Sequence, residues 1–336
     1  MAIEHNRTNL PSIASDTAVI LHLYYPDLWD EIKIYLANLK DGFDLYVSIC
    51  DTAADSTEEV VRQDYPNAFV VRLENRGRDI GPFMEIYPAI AKQYRLVCKI
   101  HSKKSLHLSA GENWRQQLYG DLLGSTKRIL EIKAMFELYP DIGLIGSAGS
   151  LLQCKDRLGE NAEKMYELAQ EIGANVQDVL DGEFSAGSMF WFRTEALMPL
   201  LNLNITQKKF ENERGQLDGT MAHTMERIFS LVVSVAGYKT VDTGFIDAAN
   251  YFFDADLFSD RIHPQTLRMT TLTLKKMAQC HLQAKIFNQQ IELIYNSRSW
   301  RITRPFRFVM EQFLLRFWLN PYFGGKFFKF IRRVKQ

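Results

Sequence analysis

Leu73-Glu74-Asn75-Arg76-Gly77-Arg78-Asp79-Ile80-Gly81-Pro82-Phe83 follows an apolar, β-branched run, Ala68-Phe69-Val70-Val71-Arg72, and precedes a helical pattern over residues 84–92. The run reads as a buried strand. Two guanidiniums, two carboxylates, an amide and glycines therefore gather at a strand's C-terminal end, where open α/β sheets bind ligands. Arginine suits bidentate recognition of phosphate, and glycine lets a backbone approach a ligand closely. Taken alone, the same residues also fit a solvated, charged turn, because a single Gly-rich loop is a weak signal.

A second stretch repeats the arrangement. Arg95-Leu96-Val97-Cys98-Lys99-Ile100 is a strand candidate that runs into His101-Ser102-Lys103-Lys104-Ser105. Two successive strands ending in donor-rich loops suggest one anionic ligand held across both; an exposed loop with a solvated lysine pair is the alternative. Working outward, residues 18–25 and 43–50 read as strands. Residues 28–39 carry apolar side chains at helical spacing, and Ser56-Thr57-Glu58-Glu59 looks like a helix start. The order β-α-β-α-β-α-β predicts an α/β fold with a mostly parallel central sheet, right-handed crossovers and flanking helices. No G-x-G-x-x-G follows the first strand, so a dinucleotide site lacks its fingerprint. Beyond the sheet, residues 112–123, 126–138 and most of 155–180 read as helix and 142–145 as a short strand. Phe184-Ser185-Ala186-Gly187-Ser188-Met189-Phe190-Trp191-Phe192-Arg193 reads as one long strand. Residues 217–236 read as helix and Tyr238-Lys239-Thr240-Val241 as a last strand.

A chain of 336 residues with 46% hydrophobic and 24% charged content is ordinary for a globular protein. Its zero net charge is unevenly spread: residues 298–336 hold ten Lys and Arg against one Glu, Glu311, and so carry +9 against about −9 elsewhere. Cys50, Cys98, Cys154 and Cys280 have no CxxC spacing and read as reduced core thiols of a cytosolic protein. Residues 1–16 are polar, without the apolar segment of a signal peptide, and read as a flexible N-terminus. No run of 18 apolar residues suggests a membrane span.

Several segments, in order, resemble the rhamnan synthesis protein F family of polysaccharide glycosyltransferases. They are Glu74 through Phe83, Lys99-Ile100-His101-Ser102-Lys103-Lys104-Ser105, the Trp114-Arg115 helix, Ala186 through Arg193, and Leu217-Asp218-Gly219-Thr220-Met221-Ala222-His223-Thr224-Met225-Glu226-Arg227. The resemblance spans roughly residues 18–250. It implies a GT-A-like nucleotide-diphospho-sugar transferase fold and an inverting enzyme. That enzyme would transfer L-rhamnose from a nucleotide-activated donor, dTDP-L-rhamnose by expectation, to a lipid-linked or polysaccharide acceptor in O-antigen, capsule or rhamnan. On the GT-A pattern, Tyr24, Tyr25 and Asp51 stand where the nucleotide base is held, and Asn75-Arg76-Gly77 matches the turn after the third strand. Gly187 and Ser188 shape the acceptor side. Glu226, on a helix shortly before Gly237-Tyr238, stands where the base is usually found, with Asp218 as second candidate eight residues earlier on the same predicted helix.

One departure matters. Most GT-A enzymes place Asp-x-Asp after the fourth strand to hold a divalent metal, but here that position reads Lys99-Ile100-His101-Ser102-Lys103-Lys104. Carboxylates bind hard cations and a lysine pair repels them. The reading is substitution: Arg76, Arg78, Asp79, His101, Lys103 and Lys104 form the diphosphate region, and no metal or other cofactor is expected. Asp254-Ala255-Asp256 reads as a surface turn. Trp114 and Trp191 are candidates to stack on sugar faces, with core packing the favoured role for Trp191 in its apolar strand; His223 is a candidate to meet the acceptor, although a packed or hydrogen-bonding role is favoured for it. Residues 17–262 are expected to form the transferase domain and 263–336 a helical extension. In that extension, Ser299-Trp300-Arg301-Ile302-Thr303-Arg304-Pro305-Phe306-Arg307 resembles a C-terminal motif of bacterial glycosyltransferases. Beyond it, paired aromatics among cations suit a helix lying on an anionic inner leaflet better than nucleic acid. The protein is thus expected to be cytoplasmic and peripheral on the membrane. Another hexose or deoxyhexose donor, or a non-catalytic saccharide-binding or scaffold subunit of an assembly complex, are the alternatives.

Overall fold

The computed structural model describes residues 13–102, 104, 111–216 and 218–247. A seven-stranded sheet in the order β3-β2-β1-β4-β8-β5-β9 forms its centre. The first half comprises β1 (Thr17–Leu23), α1 (Trp29–Leu36), β2 (Asp44–Cys50), α2 (Asp55–Asp64), β3 (Phe69–Leu73), α3 (Ile80–Ile90) and β4 (Leu96–His101). The second comprises α4 (Gly111–Leu123), α5 (Thr126–Leu138), β5 (Ile142–Gly146), β6 (Leu151–Gln153), α6 (Ala162–Glu171), α7 (Val176–Asp181), β7 (Glu183–Ser185), β8 (Phe190–Arg193), α8 (Met221–Val235) and β9 (Lys239–Asp242).

β1 and β2 are buried at every position, as strands covered on both faces of a parallel sheet must be. β3 alternates buried and half-buried, which suits an edge strand, and Arg72 on its outer face reaches Asp55 and the Ala53 carbonyl. β8 runs antiparallel between β4 and β5; all other neighbouring pairs are parallel. The C-terminal ends of β1 to β5 and the start of β8 therefore share one edge of the sheet. One hydrophobic cluster packs α3, α6 and α8 on one face, around Phe83, Met165 and Phe229. The other packs α1, α4 and α5 on the opposite face, around Ile32, Leu122 and Phe136.

Two expectations need correction. Residues 184–193 are not one strand. β7 pairs with β6 in a separate small sheet, and Gly187 and Ser188 turn the chain with φ of +89° and +55° before β8 begins. Gly187 has no Cβ penalty in that conformation, so a small-residue start breaks the strand. The helix read over 217–236 starts only at Met221, because Thr220 and His223 form its N-terminal capping box. Asp218 thus precedes α8 and shares no helix with Glu226. At the N-terminus, the Ala14 N–H donates to Asp44 at 3.0 Å and Asp16 accepts from Arg95 at 3.1 Å. Cys50, Cys98 and Cys154 are buried free thiols. Residues 1–12 and 248–336, with Cys280, Asp254-Ala255-Asp256, the expected boundary at 262 and the basic-aromatic segment, lie outside the described residues.

Candidate active site

The turn between β3 and α3 reverses the chain in six residues. Gly77 and Arg78 both take left-handed backbone, φ +71° and +54°. A Cβ on Gly77 would stand 2.5 Å from Cγ of Phe210, so only glycine fits. The turn is braced from outside: the Gln207 side-chain amide donates to the Glu74 carbonyl at 2.6 Å, and Arg76 makes an isolated antiparallel bridge with Asn212.

Tyr24, Asp51 and Asn75 follow the adjacent strands β1, β2 and β3 and lie exposed along one edge. Asn75 Nδ2 donates to Tyr24 Oη at 3.4 Å, and the Asp51 N–H donates to the Leu73 carbonyl at 2.8 Å. Arg78 donates to the Gln216 carbonyl and stands 3.5 Å from Glu213, with its side chain 39% exposed and open to a ligand. Arg76 turns away, toward Glu74 at 3.2 Å and the Phe210 carbonyl at 3.3 Å.

Other members of the expected diphosphate set are placed differently. Asp79 is not an open polar group of the loop. Its Oδ2 accepts from Lys99 Nζ at 2.5 Å and stands 3.4 Å from His101 Nδ1; the Lys99 and His101 side chains are buried and that of Asp79 is 13% exposed. Burial alone would raise the Asp79 carboxyl, but the charges of His101 and Lys99 and hydrogen bonds from Lys99 and Ser188 hold it well below the usual carboxylate range. Burial pushes the Lys99 ammonium down and the Asp79 carboxylate opposes that. Removing one partner of such a pair costs about 3–5 kcal/mol, because the other charge is stranded. His101 is only 6% exposed, so it supports the loop from beneath. Lys104 pairs with Asp27 and lies 5.0 Å over the Tyr25 ring, which places it at the rim. Lys103 lies outside the described residues.

The acceptor-side candidates converge on the turn before β8. Glu226 Oε1 accepts the Gly187 N–H at 2.7 Å, and Glu226 is half-buried. A Cβ on Gly187 would meet Trp114 Cζ2 at 3.2 Å, so the indole closes over the same turn. Ser188 faces inward, toward Lys99. His223 caps α8 through Nδ1, 2.8 Å from Thr220 Oγ1, and burial with the nearby Arg78 charge lowers it to about 4. Asp218 accepts from Asn161 at 2.5 Å and faces Arg227 at 3.7 Å, so its contacts fasten α8 to the segment before α6. Arg115, beside Trp114, binds Glu31 at 3.0 Å and fixes α4 to α1. Trp191 is fully buried and donates to the Leu122 carbonyl at 3.0 Å.

Sequence reasoning missed Lys99 and Asp242. A charge inside an apolar strand is almost always paired, and that was the available signal for Lys99. Asp242 accepts the Gly149 N–H at 3.0 Å while Asp121 accepts from Ser147 Oγ at 2.6 Å, so two carboxylates shape the loop after β5. As for a divalent metal, the end of β4 presents Lys99 and His101 instead of carboxylates, and Asp79 is already engaged by both. These donors do not fit a hard cation, and no group of three metal-binding side chains occurs among the described residues.

The family model for rhamnan synthesis protein F matches residues 3–238. A protein of Xanthomonas campestris pv. campestris (strain B100) described as "Uncharacterized protein WxcX" is 33% identical over 238 residues, covering 69% of this chain and 34% of that protein. The protein of the same description from a second strain matches to the same extent. The chain thus spans about a third of the length of these relatives. Among solved structures, S. aureus TarS 1-349 aligns with a TM-score of 0.36 and 12% identity, covering 72% of this chain and 66% of that one.

Proposed function

This chain belongs to the rhamnan synthesis protein F family, and on that premise we propose that it is a glycosyltransferase taking a nucleotide-diphospho-sugar donor and a saccharide acceptor. The observation that carries the reading is the meeting, at one sheet edge, of a cationic turn after β3 and a half-buried carboxylate held against the turn before β8. The six parallel strands with one antiparallel insertion support a GT-A-like scaffold.

In this reading the donor base lies along Tyr24, Asp51 and Asn75, and Arg78, with Lys103, meets the diphosphate. Arg76 and Lys104 act at the edge, and His101 and Asp79 brace the loop below. Transfer is an in-line displacement that inverts the anomeric carbon. Glu226 takes the acceptor hydroxyl's proton, and cationic side chains stabilise the departing diphosphate without a metal. The Gly187 N–H fixes one Glu226 oxygen and leaves the other for the acceptor. Trp114 offers a face to the sugar. The donor is dTDP-L-rhamnose and the acceptor a growing, lipid-linked cell-surface polysaccharide; the family's printed description, rhamnan synthesis, supports the sugar and a polysaccharide product. No helix among the described residues is long and apolar enough to cross a membrane. The basic-aromatic residues 298–336 would hold the protein to the anionic inner leaflet from the cytoplasmic side.

A thermal-shift panel of nucleoside diphosphates and their sugars, with and without divalent metal, tests the reading. A ligand at one hundred times its Kd stabilises by about 2.7 kcal/mol, so dTDP-L-rhamnose should raise Tm equally in chelator. No shift with any nucleotide-sugar would overturn it.

A further inference from the structure

Lys99 is 1% exposed, on β4 beside β8. Three rings surround its ammonium, Phe83 at 5.5 Å, Phe190 at 5.8 Å and Phe229 at 5.9 Å. A charge this deep is tolerated only when it is partnered. Its partners come from two separate turns: Asp79 Oδ2 at 2.5 Å, the Ser188 carbonyl at 2.7 Å and Ser188 Oγ at 2.8 Å.

Both turns are conformationally costly. Arg78, next to Asp79, and Ser188 are two of the three non-glycine residues with positive φ among the described residues. Such backbone persists only where its surroundings over-determine it, and Lys99 bonds directly to Ser188 and to the neighbour of Arg78. One residue before Ser188, the Gly187 N–H holds Glu226. A continuous path thus runs from Asp79 through Lys99, Ser188 and Gly187 to Glu226.

Resting on the transferase reading above, we propose that Lys99 is a positioning residue. Its ammonium sets the Gly187-Ser188 turn and, through the Gly187 N–H, the orientation of the Glu226 carboxylate toward the acceptor. A salt bridge that only holds two elements together would leave that orientation intact.

Lys99→Met alone would leave the half-buried Asp79 carboxylate without its ammonium, so the test uses Asp79→Asn with Lys99→Met. Neutralising both members together leaves no unpaired charge behind, which is what makes single removal from a buried pair so costly. A second variant, Asp79→Asn with Lys99→Gln, keeps a donor toward Ser188. In the full chain labelled with [15N]glycine, the Gly187 amide is identified by its shift in Glu226→Gln. Its hydrogen exchange should be about tenfold or more faster in the Met variant than in the unmodified chain. The Gly124 amide, which donates to the Gly120 carbonyl at the end of α4, should keep its rate. Turnover should fall about 100-fold, the scale of a misplaced catalytic group, and by more than in Asp79→Asn alone, the variant that reports any change in donor KM through the Arg78 turn. The Gln variant should recover about tenfold of that loss, and it serves alone if the Met variant does not fold. A folded variant with Gly187 exchange and kcat unchanged would reduce Lys99 to a structural ion pair. The exchange measurement needs no substrate, so absence of transfer by the unmodified chain would overturn the transferase reading and leave the positioning result standing.

Discussion

Glu226, on the first turns of α8, accepts a hydrogen bond from the Gly187 N–H across the sheet edge, 2.7 Å away and 39 positions apart in sequence. This single contact joins the helix carrying the candidate base to the left-handed turn before β8. It fixes one carboxylate oxygen through a backbone N–H, a donor that carries no full charge. A base that must take a proton from a hydroxyl has to be so positioned.

Arg78 and Arg76 should differ. Arg78 reaches over the site edge and, among the described residues, is held by a carbonyl and a carboxylate at 3.5 Å, whereas Arg76 is turned to Glu74 and Phe210. Arg78→Ala is expected to weaken nucleoside-diphosphate binding by about 1.5–3 kcal/mol, the range for hydrogen bonds to charged groups. Arg76→Ala is expected to cost less than half as much. Calorimetric titration of the free diphosphate checks this, and equal affinities in all three proteins would return both arginines to solvated turn residues.

Asp218 and Glu226 should separate into stability and turnover. Asp218 holds Asn161 and Arg227 from the turn before α8. Asp218→Asn is therefore expected to lower Tm with kcat within about threefold, while Glu226→Gln should keep Tm and lose about 10²–10⁴-fold in kcat, the usual share of a general base. The reverse pattern would move the base to Asp218.

Stability should fall on mild acidification. Burial keeps His22 and His223 neutral and lowers both from 6.5 to about 4. The unfolded chain binds those protons more tightly, so the stabilisation is complete above pH 6.5 and is lost as pH drops toward 4. The slope is about 1.4 kcal/mol per pH unit for each histidine. Asp242, raised by burial, acts in the opposite sense. Urea unfolding between pH 7 and 4.5 should show a shallower loss in His22→Asn with His223→Asn; an unchanged slope would show that the histidines do not set it.

Much of the fold was legible because its signals are local. The strand runs ending at Cys50, Leu73 and His101 are continuous apolar segments closed by polar turns, and they come within a residue or two of their observed limits. The glycines and arginines after β3 marked a turn for the same reason, and the structure places that turn at the C-terminal edge of the sheet. What escaped depends on distant partners. Lys99 looks like part of a cationic run until Asp79 and Ser188 are placed around it. Residues 186–189 continue an apolar pattern, and only the left-handed backbone at Gly187 and Ser188 separates β7 from β8. Asp218 and Glu226 have helical spacing, but the Thr220 cap begins the helix between them.

The basic-aromatic segment should respond to an anionic surface. Residues 298–336 carry +9 in a chain of zero net charge. Truncation after Tyr295 is expected to abolish sedimentation with anionic vesicles. Binding of the full chain should weaken with salt, because the Debye length is about 8 Å at physiological ionic strength. A full chain that ignores such vesicles at low salt would remove the membrane from the account.

The most direct test of the central claim is release of nucleoside diphosphate from dTDP-L-rhamnose in the presence of a saccharide acceptor and excess chelator, for the unmodified chain and for Glu226→Gln. The account predicts acceptor-dependent release by the unmodified chain, unaffected by chelation. For Glu226→Gln it predicts release reduced about 10²-fold or more at unchanged donor affinity. Release that needs added metal, or that proceeds equally in Glu226→Gln, would contradict it.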